Sequence, residues 1–226
     1  MTGEIAEYFG DLLLRYENAG VIRSLIQLIP LNIGSAGDVL LASRIKQIRE
    51  DRAREFFDEL AKDGSILTPA VIESEDFIHC FTITSKAALN TRRREKIRLF
   101  ARLLASSVSK PHPRDTDDYE QMLAILDDLT YSEWSALAIL DRYSTTPTNS
   151  GENALQWSQR FWPNFQDDTE RELGIPKSEF TAFMNPISRT GLYEQIVGAY
   201  WRYDGGVGML TPRFHRLKSF VSNDKT

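Results

Sequence analysis

Residues 38–64 carry the pattern that most restricts how this chain can fold. They read DVLLASRIKQIREDRAREFFDELAKDG, in which apolar residues recur at helical spacing and most of the others are charged or polar. The apolar stripe consists of Leu41, Ile45, Ile48, Phe56 and Leu60. A helix with so narrow a stripe packs against one or two other helices. We therefore predict a helical hairpin within the chain. A dimeric coiled coil is the alternative, which Arg52 weakens because it lies on the stripe.

The same periodicity predicts helices over most of the chain, so the expected fold class is mainly α. Helical patterns cover residues 3–17, 72–89, 91–108, 119–129 and 132–143. Ser132 is placed as the cap of the last of these, with Glu133 at its start. Residues 151–163 are expected to be helical only as far as Pro163, because proline removes a backbone donor and clashes with the preceding turn.

The composition of residues 110–118 predicts a linker between two domains. Residues 110–118, KPHPRDTDD, contain two prolines and many charges, which is typical of a boundary segment. The expected arrangement is an N-terminal helical bundle over residues 1–110 and a second domain over residues 119–222. The second domain would carry a helical insertion around residues 145–170.

The C-terminal part has an ordered set of turn and cap signals. A short helix over 177–184 leads through Thr190-Gly191-Leu192 into a β-prone run, residues 193–203. Asp204-Gly205-Gly206 is a hairpin turn, residues 207–210 return as a second strand, and Thr211-Pro212 begins a final helix. Over residues 130–222 this order resembles the winged-helix superfamily. The resemblance implies a winged-helix-like module with a small β-hairpin, in which helix 177–184 would be the DNA-reading helix.

A second resemblance concerns segments between residues 75 and 212. Its residues are EDF at 75–77, KIRLFARLLASSV at 96–108, YEQMLAILDDLTYSEWSALAIL at 119–140, and LTP at 210–212. Together they resemble the abortive-infection alpha family of bacterial proteins. That resemblance implies an all-α centre, a setting in bacterial phage defence, and no active site.

Charge is distributed unevenly along the chain. The net charge is −5, but residues 111–173 hold 4 basic and 13 acidic side chains, whereas residues 174–226 hold 7 basic and 4 acidic ones. The acidic middle would repel nucleic acid, and only the last segment attracts it mildly. We therefore expect at most weak, non-specific contact with DNA.

Two groups of basic residues are candidate contact sites. Arg94, Arg98 and Arg102 repeat every four residues and form one ridge, expected to pair with the acidic middle region or to bind an acidic or phosphate-rich partner. In the winged-helix-like part, side chains that could reach phosphates are Lys177, Arg189, Arg202, Arg213, Arg216 and Lys218. Helix 177–184 itself is poorly equipped for base readout, because it lacks Arg, Asn and Gln.

The sequence offers no catalytic, metal or cofactor site. His79 and Cys80 are adjacent on a helix, where neighbours do not face each other. His79, His112 and His215 each lack a second ligand at metal spacing. The glycines at 205–208 lack the lysine of a phosphate loop, and no small-molecule substrate is evident. The expected protein is therefore not an enzyme and acts through a protein partner or self-association.

The apolar N-terminal segment bears on a further alternative. Residues 20–41 are too apolar to stand in water but too short and interrupted to span a bilayer, so burial in protein is expected. A membrane-surface effector acting through Ile22–Ile33 is the alternative. With one cysteine and an acidic rather than basic start (Glu4, Glu7, Asp11), a soluble cytoplasmic protein is expected.

Overall fold

A computed structural model describes residues 10–16, 19–29, 39–63, 67–109, 116–196 and 206–222. In this part of the chain the fold is mainly helical with a two-stranded antiparallel sheet, which confirms the predicted class. The helices are α1 (10–15), α2 (Gly20–Gln27), α3 (Val39–Leu60), α4 (Pro69–Ile72), α5 (Glu75–Asn90), α6 (Arg94–Ser109), α7 (Thr116–Asp128), α8 (Tyr131–Tyr143), α9 (Ala154–Leu173), α10 (Lys177–Met184) and α11 (Pro212–Val221). The strands are β1 (Tyr193–Gln195) and β2 (Gly208–Leu210), and 3-10 turns cover Ala61–Asp63 and Asn185–Thr190.

The chain forms two compact units. The first comprises residues 1–126 and 220–226, and the second comprises residues 127–219. The division therefore falls near the end of α7, whereas the sequence places the boundary in the segment 110–118. The predicted linker itself lies mostly outside the described residues.

The core of the first unit is built around α3, which packs against α5 and α6. Phe56 and Phe57 of α3 lie 6.4 Å and 6.2 Å, ring to ring, from Phe81 of α5, and all three rings are buried. Arg52 donates a hydrogen bond of 2.6 Å to the carbonyl of Leu89. That carbonyl lies in the last turn of α5, where carbonyls lack partners within the helix. Arg52 thus stabilises the packing of α3 against α5 within the chain.

Burial along the predicted stripe of α3 is uneven. Phe56 and Leu60 are fully buried, but Ile45 is 37% exposed and Ile48 is partly exposed. The side chain of Leu41 lies outside the described set. Among the described side chains of the stripe, only Phe56 and Leu60 are fully packed within the unit.

The apolar face of α2 is covered by protein. Ile22, Leu25, Ile26 and Ile29 are buried, whereas Leu28 is 44% exposed. Residues 30–38 lie outside the described part. None of the described helices is both long and apolar enough to cross a membrane.

In the second unit, two helix boundaries differ from the sequence predictions. Thr130, not Ser132, caps α8: its hydroxyl accepts from the Glu133 amide at 3.1 Å, and the Glu133 carboxylate accepts from the Thr130 amide at 2.7 Å. α9 runs through Pro163 to Leu173. Pro163 is tolerated because it and Gln159, whose carbonyl loses its donor, lie on the exposed side. Buried aromatic residues on the other side of α9 anchor both halves of the helix, namely Phe161, Trp162 and Phe165.

The predicted hairpin is present. β1 and β2 pair antiparallel, with Tyr193 opposite Leu210 and Gln195 opposite Gly208. The chain enters β1 through Gly191, whose φ of +69° suits glycine. The sequence predicts that the first strand reaches residue 203. Its described part ends at Gln195, and residues 197–205 lie outside the described part of the chain.

Candidate functional site

The predicted basic ridge of α6 is largely committed to contacts inside the first unit. Arg98 Nε donates to Glu55 Oε1, and Arg102 Nε donates to Glu59 Oε1 at 2.7 Å. The expectation that the ridge pairs with the acidic middle region is therefore corrected for these two arginines. Their partners lie on α3, because α3 and α6 run side by side in the same direction.

The Arg102–Glu59 pair is a structural element of the core. The side chain of Glu59 is only 3% exposed, and Lys62 Nζ donates to its second oxygen at 2.6 Å. Burial alone would raise the pKa of Glu59, but the hydrogen bonds from Lys62 and Arg102 outweigh it and hold that pKa below its ordinary value. Glu59 therefore stays ionised and fixes Arg102 against α3.

Arg94 belongs to a different cluster. It is the first residue of α6, and Arg92 and Arg93 precede it in the turn from α5. All three are exposed, and none forms an ion pair with a carboxylate of the described chain. We call Arg92, Arg93 and Arg94 the arginine turn.

The position of the arginine turn is unfavourable for stability. The N-terminus of a helix carries partial positive charge, so cations there are repelled and carboxylates are favoured. The first turn of α6 holds one acidic residue, Glu95. Three arginines against one carboxylate at this end do not help the helix to fold.

In the second unit, Lys177, Arg189 and Lys218 are held by the unit's own carboxylates. Lys177 pairs with Asp167, and Lys218 Nζ lies 2.6 Å from Asp141 Oδ2. Arg189 contacts Asp128 at 2.7 Å and the buried carboxylate of Glu133 at 2.9 Å.

Three further residues are predicted phosphate contacts, namely Arg202, Arg213 and Arg216. Arg213 and Arg216 also take part in interactions, and Arg202 lies outside the described residues. The outward side of α10 presents Ser178, Glu179 and Thr181, which are neutral or acidic.

His79 and Cys80 do not form a catalytic pair. His79 Nε2 lies 2.6 Å from Glu120 Oε1 at the surface, whereas Cys80 is buried. Burial, with the nearby charges of Asp76 and Glu120, raises the pKa of the Cys80 thiol to about 11. The thiol is therefore protonated at neutral pH and is a poor nucleophile.

A cavity of about 450 Å³ borders Cys80 and includes Asp76, Phe77, Ser107 and Thr116 in its lining. The carboxylate of Asp76 already accepts a hydrogen bond of 3.3 Å from Thr116 Oγ1. None of the described lining residues provides the paired acid and base of a catalytic site. In the described part of the chain, no three His, Cys, Asp or Glu side chains group as metal ligands.

No family model, curated protein or solved structure matches this chain. The sequence identified the basic cluster of α6 but missed Glu55 and Glu59 as its partners. One signal was available: these glutamates have the same four-residue spacing as Arg98 and Arg102, so two matching ridges could have been paired.

Proposed function

We propose that this protein is a non-enzymatic helical interaction protein that binds an acidic surface of a partner protein through the arginine turn. The observation that carries the proposal is the difference between neighbours on α6. Arg98 and Arg102 each have a glutamate partner in the unit, whereas Arg92, Arg93 and Arg94 are exposed without one among the described carboxylates. Guanidinium groups match carboxylates in two-point hydrogen bonding, so this turn suits an acidic protein surface.

The small size of the cluster favours a protein over a nucleic acid. DNA-binding proteins commonly neutralise about 6–10 phosphates, which is more than three side chains can reach. The net charge of −5 also opposes approach to a long polyanion. An acidic patch on a protein needs only a few cations for recognition, and the arginine turn would attract it locally.

We propose that the second unit is a winged-helix-like module with a structural or protein-contact role. The order α8, α9, α10, β-hairpin and α11 supports this assignment. The ion pairs of Lys177, Arg189 and Lys218 within the unit argue against a DNA-reading role. A winged-helix DNA-binding regulator remains the alternative function.

The biological setting proposed for this interaction is bacterial phage defence. It follows from the resemblance of residues 75–77, 96–108 and 119–140 to the abortive-infection alpha family. A membrane-surface role through Ile22–Ile33 has less support, because Ile22, Leu25 and Ile26 are used in the protein core.

The proposal is tested by measuring binding of two labelled probes by fluorescence anisotropy, a glutamate-rich peptide and a duplex DNA. The double variant Arg93→Gln/Arg94→Gln should weaken peptide binding about fivefold, since two exposed ion pairs contribute about 1 kcal/mol together. The control Arg23→Gln/Arg171→Gln removes the same charge elsewhere and should leave peptide affinity unchanged.

Two results would contradict the proposal. Peptide binding that is equally strong in the Arg93/Arg94 variant would exclude the arginine turn as the contact. Sequence-selective DNA binding much tighter than about 10⁻⁶ M would favour the regulator instead.

A further inference from the structure

The first half of α3 extends beyond the helices that pack against it. Arg52 contacts the carbonyl of Leu89, at the end of α5, and Glu55 pairs with Arg98, one turn into α6. α3 is therefore level with the α5–α6 turn near residue 51. At 1.5 Å per residue, residues 39–50 continue for about 18 Å past that turn.

Burial along α3 changes at the same place. No side chain from Ser43 to Arg52 is buried, whereas Ala53, Phe56, Phe57 and Leu60 all are. Ile45 and Ile48 lie on the same helical face as Arg52 and Glu55, which point toward α5 and α6. The face that packs against α5 and α6 thus continues as two isoleucines beyond the end of those helices.

We infer that a second copy of this chain covers Ile45 and Ile48, with the first halves of the two α3 helices crossing antiparallel. In coiled-coil terms Ile45 and Ile48 are successive a and d positions. In an antiparallel pair, Ile45 of each copy packs against Ile48 of the other. This surface does not include the arginine turn, so the inference goes beyond the proposed function and does not depend on it.

Charge complementarity favours a second copy as the partner and an antiparallel orientation of the two helices. Arg44 and Asp51 flank the isoleucines on one side, seven residues apart, and both are exposed. An antiparallel two-fold pair brings Arg44 of each copy to Asp51 of the other, which gives two identical ion pairs. A parallel pair would instead place Arg44 beside Arg49 of the other copy.

The existing contacts of Arg44 and Asp51 do not prevent ion pairs between the two copies. Arg44 Nη1 donates to Gln47 at 2.6 Å, and Asp51 lies 3.5 Å from Arg54 at the surface. Such solvent-exposed contacts are weak, so their guanidinium and carboxylate groups can join a second partner. A contact of two turns per copy is small, and we expect association in the micromolar range.

The test is sedimentation equilibrium of the full chain from about 1 to 200 μM, a range that brackets a micromolar dimer. Wild type should show a monomer–dimer equilibrium. Ile45→Lys should remain monomeric, while the control Ile78→Lys, on a residue with the same 37% exposure on α5, should dimerise normally. Arg44→Glu and Asp51→Arg should each weaken the dimer about tenfold, and the double variant Arg44→Glu/Asp51→Arg should restore it.

Wild type that stays monomeric over the whole range overturns the inference. A dimer that both single charge reversals weaken and the double variant does not restore excludes the antiparallel contact. Because Arg44 and Asp51 are too far apart on one helix to touch, restoration reports contact between copies. The charge variants lie at exposed positions, so they test the contact even if Ile45→Lys affects folding, which circular dichroism of each variant measures.

Discussion

Arg102 Nε lies 2.7 Å from Glu59 Oε1, and the side chain of Glu59 is only 3% exposed. This contact places an arginine of the predicted binding ridge in the core of the first unit. Arg98, one turn earlier, makes the same kind of contact with Glu55, whose side chain is 17% exposed. The two pairs have similar geometry but differ in burial, so they should differ in stabilisation.

Arg102→Ala should destabilise the protein by about 2–3 kcal/mol, because it leaves a buried carboxylate with only Lys62 as a partner. Arg98→Ala should cost about 1 kcal/mol or less, since its pair is more accessible to water. Urea unfolding followed by far-UV circular dichroism measures both. Equal losses for the two variants would show that burial of Glu59 is not the source of the difference.

Glu133 should make stability depend on pH. Burial would raise its pKa, but hydrogen bonds from Arg189 and Thr130 outweigh this effect and lower the pKa below the ordinary value of 4.5. Because the folded-state pKa is lowered, the stabilisation is present above about pH 4.5 and is lost as pH falls through the folded-state pKa. Glu133→Gln should therefore be about 1 kcal/mol less stable than wild type at pH 7. The difference should shrink at pH 3; a difference that is constant with pH would contradict this origin.

The N-cap residue of α8 is Thr130 in the structure, whereas the sequence prediction places Ser132 there. Thr130→Ala removes the acceptor for the Glu133 amide and should cost about 1 kcal/mol. Ser132→Ala is the matched control, because Ser132 is exposed and its hydroxyl makes no hydrogen bond with the described residues. Thermal melts of the two variants compare them directly, and a larger effect at Ser132 would restore the sequence prediction.

Gly208 should not tolerate a side chain. A Cβ added there would lie 2.3 Å from Cζ of Tyr193, and that ring is buried and cannot swing away freely. Gly208→Ala should lose about 2–3 kcal/mol through overpacking of the hairpin. Gly20→Ala, where an added Cβ meets nothing within 4 Å, should be neutral or slightly stabilising. Unfolding free energies from urea titration test the pair, and a fully stable Gly208→Ala protein would contradict the close contact.

Local signals in the sequence predicted the C-terminal elements well. Thr211 and Pro212 mark the start of α11, and Gly191 marks the entry to β1. These signals succeed because caps and tight turns depend on atoms within about four residues along the chain. The same reasoning failed at Pro163, where buried aromatic residues on both sides of the proline hold α9 together.

At the candidate site, some properties follow from helical periodicity alone and others depend on how the helices pack. The sequence determined that α6 is helical, that its buried face is apolar and that its cations form a ridge, because these properties follow from helical periodicity. The packing of α6 beside α3 pairs Arg98 and Arg102 with glutamates, whereas Arg94 lies in an exposed cluster. The partners of Arg98 and Arg102 lie 43 residues away in sequence. Whether a cation is free or neutralised is set by which helices pack side by side, and helical periodicity carries no information about that choice.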